Sequence, residues 1–278
     1  MTNDSHETAL TQFLDAGGVR FAYRRFGKRG GTPLLLNQYF AASMDDWDPK
    51  ITNGLAADND VILFNNAGVA SSGGESPSTV LEMTKHCFEF CRALDLRELN
   101  VVGFSLGGMI AQQLALDHPK MVKRMILLGT GPRGGENMTF PDLSIKELED
   151  PLALLMGAFF TPSANSQAAG RAYVERLQSR KTNRDLPVSL KTADAQIRAI
   201  QEWGTIPARD RYATLPQIKA PTLVVHGNMD TVVVPINAFI LQQHLPNAQL
   251  IIYPDANHAS QSQHADVFLK HAQTFLDA

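Results

Sequence analysis

The stretch that most restricts what this chain can fold into runs from Asn100 to Gly108 and reads Asn-Val-Val-Gly-Phe-Ser-Leu-Gly-Gly. Val101 and Val102 are β-branched and close a short apolar run, which predicts a buried strand. Leu106 to His118 predicts a helix whose apolar members are Met109, Ile110, Leu114 and Leu116. Between them lies Gly103-Phe104-Ser105-Leu106-Gly107, a G-x-S-x-G pattern. A chain that passes straight from strand to helix there leaves Ser105 with a strained backbone and an exposed hydroxyl. Gly103 and Gly107 are needed because a Cβ at either position would strike the neighbouring strand or helix. The helix start also directs free N–H groups and a positive dipole end at whatever oxygen Ser105 attacks. The five-residue pattern is loose, and an idle serine on an ordinary strand-turn-helix shares it. What decides between the two readings is whether an acid and a histidine follow in suitable loops.

The bulk of the sequence narrows the class. A chain of 278 residues can bury roughly 75% of its unfolded surface without staples. The net charge is −3, and no basic run points to nucleic acid, nor a basic amphipathic helix to a membrane surface. Cys87 and Cys91 lie four apart on a predicted helix, the pattern of a reduced, buried face rather than a disulfide framework. No nearby His or Cys completes a metal set with them, so no metal site is expected. The first twenty residues are polar, and no apolar run approaches the length of a membrane span, so neither a signal peptide nor a transmembrane helix is expected and the predicted location is cytoplasmic. Met1 to Leu10 is expected to be a loosely held terminus.

Strands are predicted at Phe13 to Asp15 and Val19 to Arg24, joined by a turn at Ala16-Gly17-Gly18, and at Pro33 to Leu36, Val61 to Phe64, Met125 to Leu128, Pro221 to Val225 and Leu250 to Tyr253. Thr79 with Glu82 forms a capping box that opens a helix through Leu94. Further helices are predicted from Pro235 to Gln243 and from Ala265 to Leu276. Strands alternating with helices predict an α/β fold, with a mostly parallel central β-sheet covered by helices on both faces. Residues 134–213 break that rhythm. They hold no clear strand but three helical stretches, Leu152 to Phe160, Ser166 to Arg180 and Ser189 to Trp203. The expected organisation is therefore a core of residues 11–133 and 214–278 with a helical cap inserted at 134–213, able to exclude water from a site and shape a pocket.

A serine hydroxyl is a poor nucleophile at neutral pH and needs a base, which in turn needs an orienting acid. In an open α/β sheet such groups lie on loops at the carboxyl ends of strands. Ser105 follows one strand. Asp230, in His226-Gly227-Asn228-Met229-Asp230, follows the strand ending at Val225. His258, in Asp255-Ala256-Asn257-His258, follows the strand ending at Tyr253. The chain order Ser, Asp, His is the order of the α/β-hydrolases.

On these residues the chain resembles the α/β-hydrolase fold family, in its capped serine hydrolase form with esterases and cofactor-free haloperoxidases. The resemblance covers nearly everything from Val19 to Leu276. It implies Ser105 as nucleophile, Asp230 as acid and His258 as base. Haloalkane dehalogenases and epoxide hydrolases of this fold carry aspartate at the elbow, so the serine argues against those activities. Relatives commonly have His-Gly after the first parallel strand. Counted back from Trp47, that pair falls on Gln38-Tyr39, which implies an oxyanion hole of the Phe40 and Leu106 N–H groups, with Tyr39 second in line for the former. Tyr39 in place of glycine brings a ring and a hydroxyl to the site, as a substrate contact or as packing under the cap. Asn65-Asn66-Ala67-Gly68-Val69-Ala70 also departs from the family's pattern, in a loop that is usually structural.

Other residues have plainer readings. His226 ends a strand and is expected to be a structural residue or one that supports a catalytic group from behind. His264 is a faint alternative base, and Asp255 an alternative acid placed only three residues before His258. In the cap, Phe159, Phe160 and Trp203, with Met156, either form the lid's own core or line the pocket. If they line it, the substrate is small and mostly apolar. No cofactor is expected, and homodimerisation stays open. The sequence therefore predicts a serine hydrolase that cleaves an acyl bond. Carboxylic esters come first, and lactones, thioesters, diketone carbon–carbon bonds and perhydrolysis share the acyl step. The rival from another class is a small-molecule receptor on the same fold.

Overall fold

A computed structural model describes residues 4–138 and 151–278. Eight strands form one sheet in the order β1-β2-β4-β3-β5-β6-β7-β8. They are β1 (Gln12–Ala16), β2 (Val19–Gly27), β3 (Leu34–Asn37), β4 (Asp60–Phe64), β5 (Leu99–Phe104), β6 (Val122–Leu128), β7 (Thr222–Gly227) and β8 (Ala248–Tyr253). The β1–β2 hairpin, closing on Ala16 opposite Val19, and the β2–β4 pair are antiparallel. Every pairing from β4 across to β8 is parallel.

The apolar alternation sorts the strands' side chains onto two faces, as a period of two requires. Leu35, Ile62, Val101, Met125, Leu127 and Val224 enter one core, with Met83, Phe90, Met109, Ile110 and Leu241 from helices α2 (Val80–Ala93), α3 (Leu106–Asp117) and α7 (Ile236–His244). Their sequence neighbours Leu34, Leu36, Val61, Leu63, Val102, Ile126 and Val225 enter the other. There they meet Ile51 and Leu55 of α1 (Pro49–Ala56) and, after the single turn α8 (Ser260–Gln263), Phe268, Ala272 and Phe275 of α9 (Ala265–Asp277). The last three residues recur at a spacing that places them on one helical stripe. The central strands are buried on both faces, which is why β3, β4 and β5 carry the apolar runs Leu34–Leu36, Val61–Phe64 and Val101–Phe104.

Between β6 and β7 the described residues contain no strand. They hold α4 (Pro151–Phe159), α5 (Ala164–Leu177) and α6 (Leu190–Gly204), while residues 139–150 of the predicted insertion lie outside the described residues. Ser163 caps α5 by accepting from Ser166 N, and Ser189 caps α6 by accepting from Thr192 N. The insertion serves both faces. Phe159, Phe160, Tyr173 and Leu177 join the core of α1 and α9, whereas Ala199, Ile200 and Trp203 join that of α2 and α3. No helix among the described residues is long and apolar enough to cross a membrane.

Two sequence expectations need correction. Helix α1 is missing from the sequence reading, although Asp48 before Pro49 is a start signal. The Asp48 carboxylate accepts from Lys50 N, and the proline occupies the first turn. The terminus is not loose from Ser5 onward. The His6 N–H donates to Asn53 Oδ1 at 2.8 Å, His6 Nδ1 meets Thr52 Oγ1 at 2.9 Å, and Ala9 is buried. Arg180, between α5 and α6, donates to the carbonyls of His6, Glu7 and Ala9 at 3.0–3.1 Å. A polar tail can be fixed by a buried guanidinium from elsewhere in the chain, and nothing local announces it.

Candidate active site

Ser105 lies between β5 and α3 at φ +52°, ψ −115°, a strained conformation for a residue with a Cβ. A Cβ on Gly103 would run into the backbone of Gly107 and Gly108, and one on Gly107 into the carbonyls of Asn37 and Gln38. The two glycines thus let α3 begin against both β5 and the loop that follows β3. The elbow is held by the Ser105 N–H donating to Leu128 O at 2.9 Å and by Thr130 Oγ1 donating to Ser105 O at 2.8 Å. As the first residues of α3, Leu106 and Gly107 have N–H groups without an acceptor inside the helix.

The loops after β7 and β8 bring Asp230 and His258 together. His258 Nδ1 lies 2.8 Å from Asp230 Oδ2, with both side chains buried. Asp230 Oδ1 accepts the N–H groups of Val232 and Val233, each at 2.9 Å. His226 Nε2 lies 3.1 Å from Asp230 Oδ2 and 2.7 Å from Val233 O. Burial by itself raises the Asp230 carboxyl, but the His258 charge and the hydrogen bonds from both histidines outweigh it and hold the group far below the usual carboxylate range. An ionised Asp230 only accepts, so the proton on His258 sits at Nδ1 and its Nε2 keeps a lone pair. The imidazole packs against Phe104, the residue before Ser105, with ring centroids 5.0 Å apart, and against Phe159 at 5.8 Å.

The other candidate acid and base are engaged elsewhere. Asp255 accepts from Thr161 Oγ1 and Ser163 Oγ, each at 2.6 Å, and so ties the start of α5 to the β8 loop. His264 stacks on Tyr253 and meets Pro254 O at 3.0 Å. Among the described residues no three His, Cys, Asp or Glu side chains converge so as to hold a metal ion.

The loop after β3 holds Phe40. On its two sides, Tyr39 N–H donates to Gln38 Oε1 at 3.3 Å and Ala41 N–H to Gln196 Oε1 of α6 at 2.7 Å. Gln38 Nε2 bonds Ser43 O and shapes the turn. The Tyr39 ring meets Phe104 at 5.0 Å and Phe159 at 5.2 Å, and its hydroxyl approaches Asp46 O and Tyr173 Oη, both at 3.5 Å. Burial, with Tyr173 and Asp46 beside it, pushes the Tyr39 phenol well above its ordinary value, so it stays neutral. Phe159 therefore belongs to the rings around His258. Phe160 instead packs between α4 and α5, on Tyr173 at 5.7 Å. Trp203 donates from Nε1 to Gly131 O at 3.3 Å within the other core.

The sequence reading missed three contributors. Phe104 is the variable residue of the elbow, and its position next to Ser105 was the available signal. Tyr173 joins the rings from α5, and nothing in the sequence marked it. Asn257, next to His258, accepts the Thr231 N–H at 2.9 Å through Oδ1 and donates through Nδ2 to Gly157 O of α4 at 3.1 Å. It joins the acid loop, the base loop and the insertion.

A family model described as alpha/beta hydrolase fold matches residues 32–265. A solved alpha/beta hydrolase fold protein from Chitinophaga pinensis is 38% identical, superposes with a TM-score of 0.94, and covers 99% of this chain and 100% of its own. A poly(3-hydroxyalkanoate) depolymerase of Ectopseudomonas oleovorans is 29% identical over 260 residues, 88% of this chain and 84% of the depolymerase. A pimeloyl-[acyl-carrier protein] methyl ester esterase of Nitrosomonas europaea is 29% identical over 169 residues, 58% of this chain. That match spans 64% of the esterase, slightly under two thirds of its length.

Proposed function

Because the chain belongs to the α/β-hydrolase fold family, we propose that it is a serine hydrolase of small, mostly apolar acyl substrates, with carboxylic esters first among them. Ser105 Oγ attacks the acyl carbonyl while His258 Nε2 takes its proton. Asp230 holds the imidazole in the required tautomer and balances its charge. The Leu106 and Phe40 N–H groups bind the oxyanion. The leaving alcohol takes the proton from His258, and water activated by the same nitrogen then releases the acid from the acyl-enzyme.

The single observation that carries this reading is the 2.8 Å contact of His258 Nδ1 with a saturated, ionised Asp230, on an imidazole packed beside the Ser105 elbow. The oxyanion assignment draws support from the Gly107 contact with the β3 loop. The rings of Tyr39, Phe104 and Phe159 favour an apolar acyl group, and the helical insertion, acting as a lid, excludes water from the acyl-enzyme. The relatives named as an esterase and a depolymerase agree with ester chemistry.

The test is turnover of p-nitrophenyl esters of graded chain length by the native protein and by Ser105→Ala. Native turnover and a loss of about 10⁵-fold or more in kcat for the variant are expected. A folded variant that keeps its activity would place the nucleophile elsewhere. A native protein that binds such esters without turning them over would be a receptor.

A further inference from the structure

His226 is the last side chain before Gly227 at the end of β7, and it is fully buried. Its Nδ1 has no hydrogen-bond partner among the described residues. Such an orphan carries the cost of an unmade hydrogen bond, so the other nitrogen must do something useful. Nε2 faces two acceptors, Val233 O at 2.7 Å and Asp230 Oδ2 at 3.1 Å. A carbonyl oxygen cannot donate, so Nε2 carries the proton, which Val233 O accepts at 2.7 Å while Asp230 Oδ2 lies beside it at 3.1 Å.

Asp230 therefore accepts three hydrogen bonds and has the His226 Nε2–H beside it at 3.1 Å. Two backbone N–H groups fill Oδ1, while His258 and His226 converge on Oδ2. Val233 is bound at both ends, its N–H by Oδ1 and its carbonyl by His226. The turn from Asp230 to Val233 is thus closed by the imidazole of residue 226.

We propose that His226 is a positioning residue that acts through Asp230: its Nε2–H competes with His258 for one carboxylate oxygen, and so sets both the orientation of the acid and how strongly the acid draws a proton onto the base. This rests on the hydrolase reading above. The titratable groups facing Asp230 are His258 from the loop after β8 and His226 from β7. From the β5–α3 turn and from α4 the neighbours of His258 are the uncharged rings of Phe104 and Phe159. Removing the His226 donor leaves Oδ2 to His258 alone. The carboxylate then acts more strongly on the imidazolium, and the base holds its proton to higher pH.

The experiment is the pH profile of kcat/KM on a p-nitrophenyl ester for the native protein, His226→Leu, His226→Gln and His226→Asn, with thermal melts and Ser105→Ala as controls. A Gln amide reaches the place of Nε2, whereas the shorter Asn does not. Leu and Asn are expected to move the acid limb to higher pH by about 1 unit, the order of one hydrogen bond to a charged group. Gln is expected to return it to the native position. A purely structural role would lower the melting temperature of all three and leave the limb in place, and that result overturns the proposal. If the Leu variant does not fold, the Gln and Asn contrast decides alone. If Ser105→Ala keeps its activity, the hydrolase reading fails. If only the limb fails to move, the role of His226 does.

Discussion

The two halves of the helical insertion hold onto the core in different ways. The first half, α4, α5 and the segment after them, is anchored by buried charge and by backbone. Arg176 makes a two-pronged contact with Asp48 at 2.7 and 2.8 Å. Arg180 gathers three carbonyls of the N-terminal segment, and Asp45, paired to buried Arg24 at 2.5 Å, accepts the Asp185 N–H at 2.6 Å. The carbonyls of Gly157, Ala158 and Phe159 at the end of α4 receive the Asn257 amide and the N–H groups of His258 and Ala259. The second half, α6, rests on an apolar stripe and a few neutral hydrogen bonds. Gln196 accepts from Ala41, Thr192 donates to Gly68 O at 2.7 Å, and Trp203 donates to Gly131 O. Its ion pairs, Lys191 with Glu75, Arg198 with Asp194 and Arg133 with Glu202, are exposed and contribute little.

The difference teaches where precision is stored. The first half adjoins the His258 loop and the Tyr39 ring, and the second adjoins the loop after β3 at Ala41. Charged, desolvated anchors are costly to break because each partner is left buried and unpaired. Neutral amide contacts are weaker and can be replaced with smaller loss. The base side of the site should therefore fail together with the fold, whereas the Phe40 side should be tunable without unfolding.

The strongest challenge to this contrast is Arg180→Leu. It leaves three buried carbonyls without their donor and Asp45 without a cation 3.8 Å away. A loss of about 3–5 kcal/mol is expected in urea unfolding, with activity falling in step. A loss below about 1 kcal/mol, the size of a surface pair, would make the two halves equivalent.

Acid tests the same half. Burial, with Arg24 nearby, lowers His6 from 6.5 to about 4. The unfolded chain takes up that proton below about 6.5 and the folded chain only near 4. The contribution of neutral His6 is therefore complete above 6.5 and is lost as the pH falls to 4, by about 3 kcal/mol in all. His6→Gln should flatten the melting temperature between those limits, and an unchanged slope would assign the acid sensitivity to another group.

On the second half, Gln196→Leu removes the acceptor of the Ala41 N–H. It should cost about 1 kcal/mol of stability while kcat falls about tenfold, since a misplaced oxyanion donor is felt in the transition state. An effect on stability alone would detach α6 from the chemistry. The smallest change is expected from Tyr39→Phe. The hydroxyl contacts at 3.5 Å are long, so ester turnover should stay within about threefold, less than the loss of one good hydrogen bond. A larger loss would make the hydroxyl a substrate contact rather than part of the packing.

Much of this molecule could be read before any coordinates. The alternation that sends Val101 one way and Val102 the other, the glycines flanking Ser105, and the order of the three site loops are written in short windows. Local sterics and hydrophobic periodicity act over a few residues. The choice between Asp230 and Asp255 behind His258 was not local. Both carboxylates follow apolar strands, and Asp255 is nearer in sequence, but it is taken by Thr161 and Ser163 of the insertion. His226 read as a structural or supporting residue, and its place beside the acid depends on how the chain turns between Asp230 and Val233.

What the sequence by itself determined is therefore the sheet, its two apolar faces and the elbow, because sterics and side-chain period leave few alternatives. What the tertiary structure decided is which distant partners each polar group took: Arg180 for the N-terminal carbonyls, Gln196 for Ala41, Asn257 between three segments, and two histidines for one carboxylate. Hydrogen bonds and ion pairs of this kind are short-ranged and directional. They form only after the apolar faces have brought residues far apart in the chain within reach, and so no window of sequence encodes them alone.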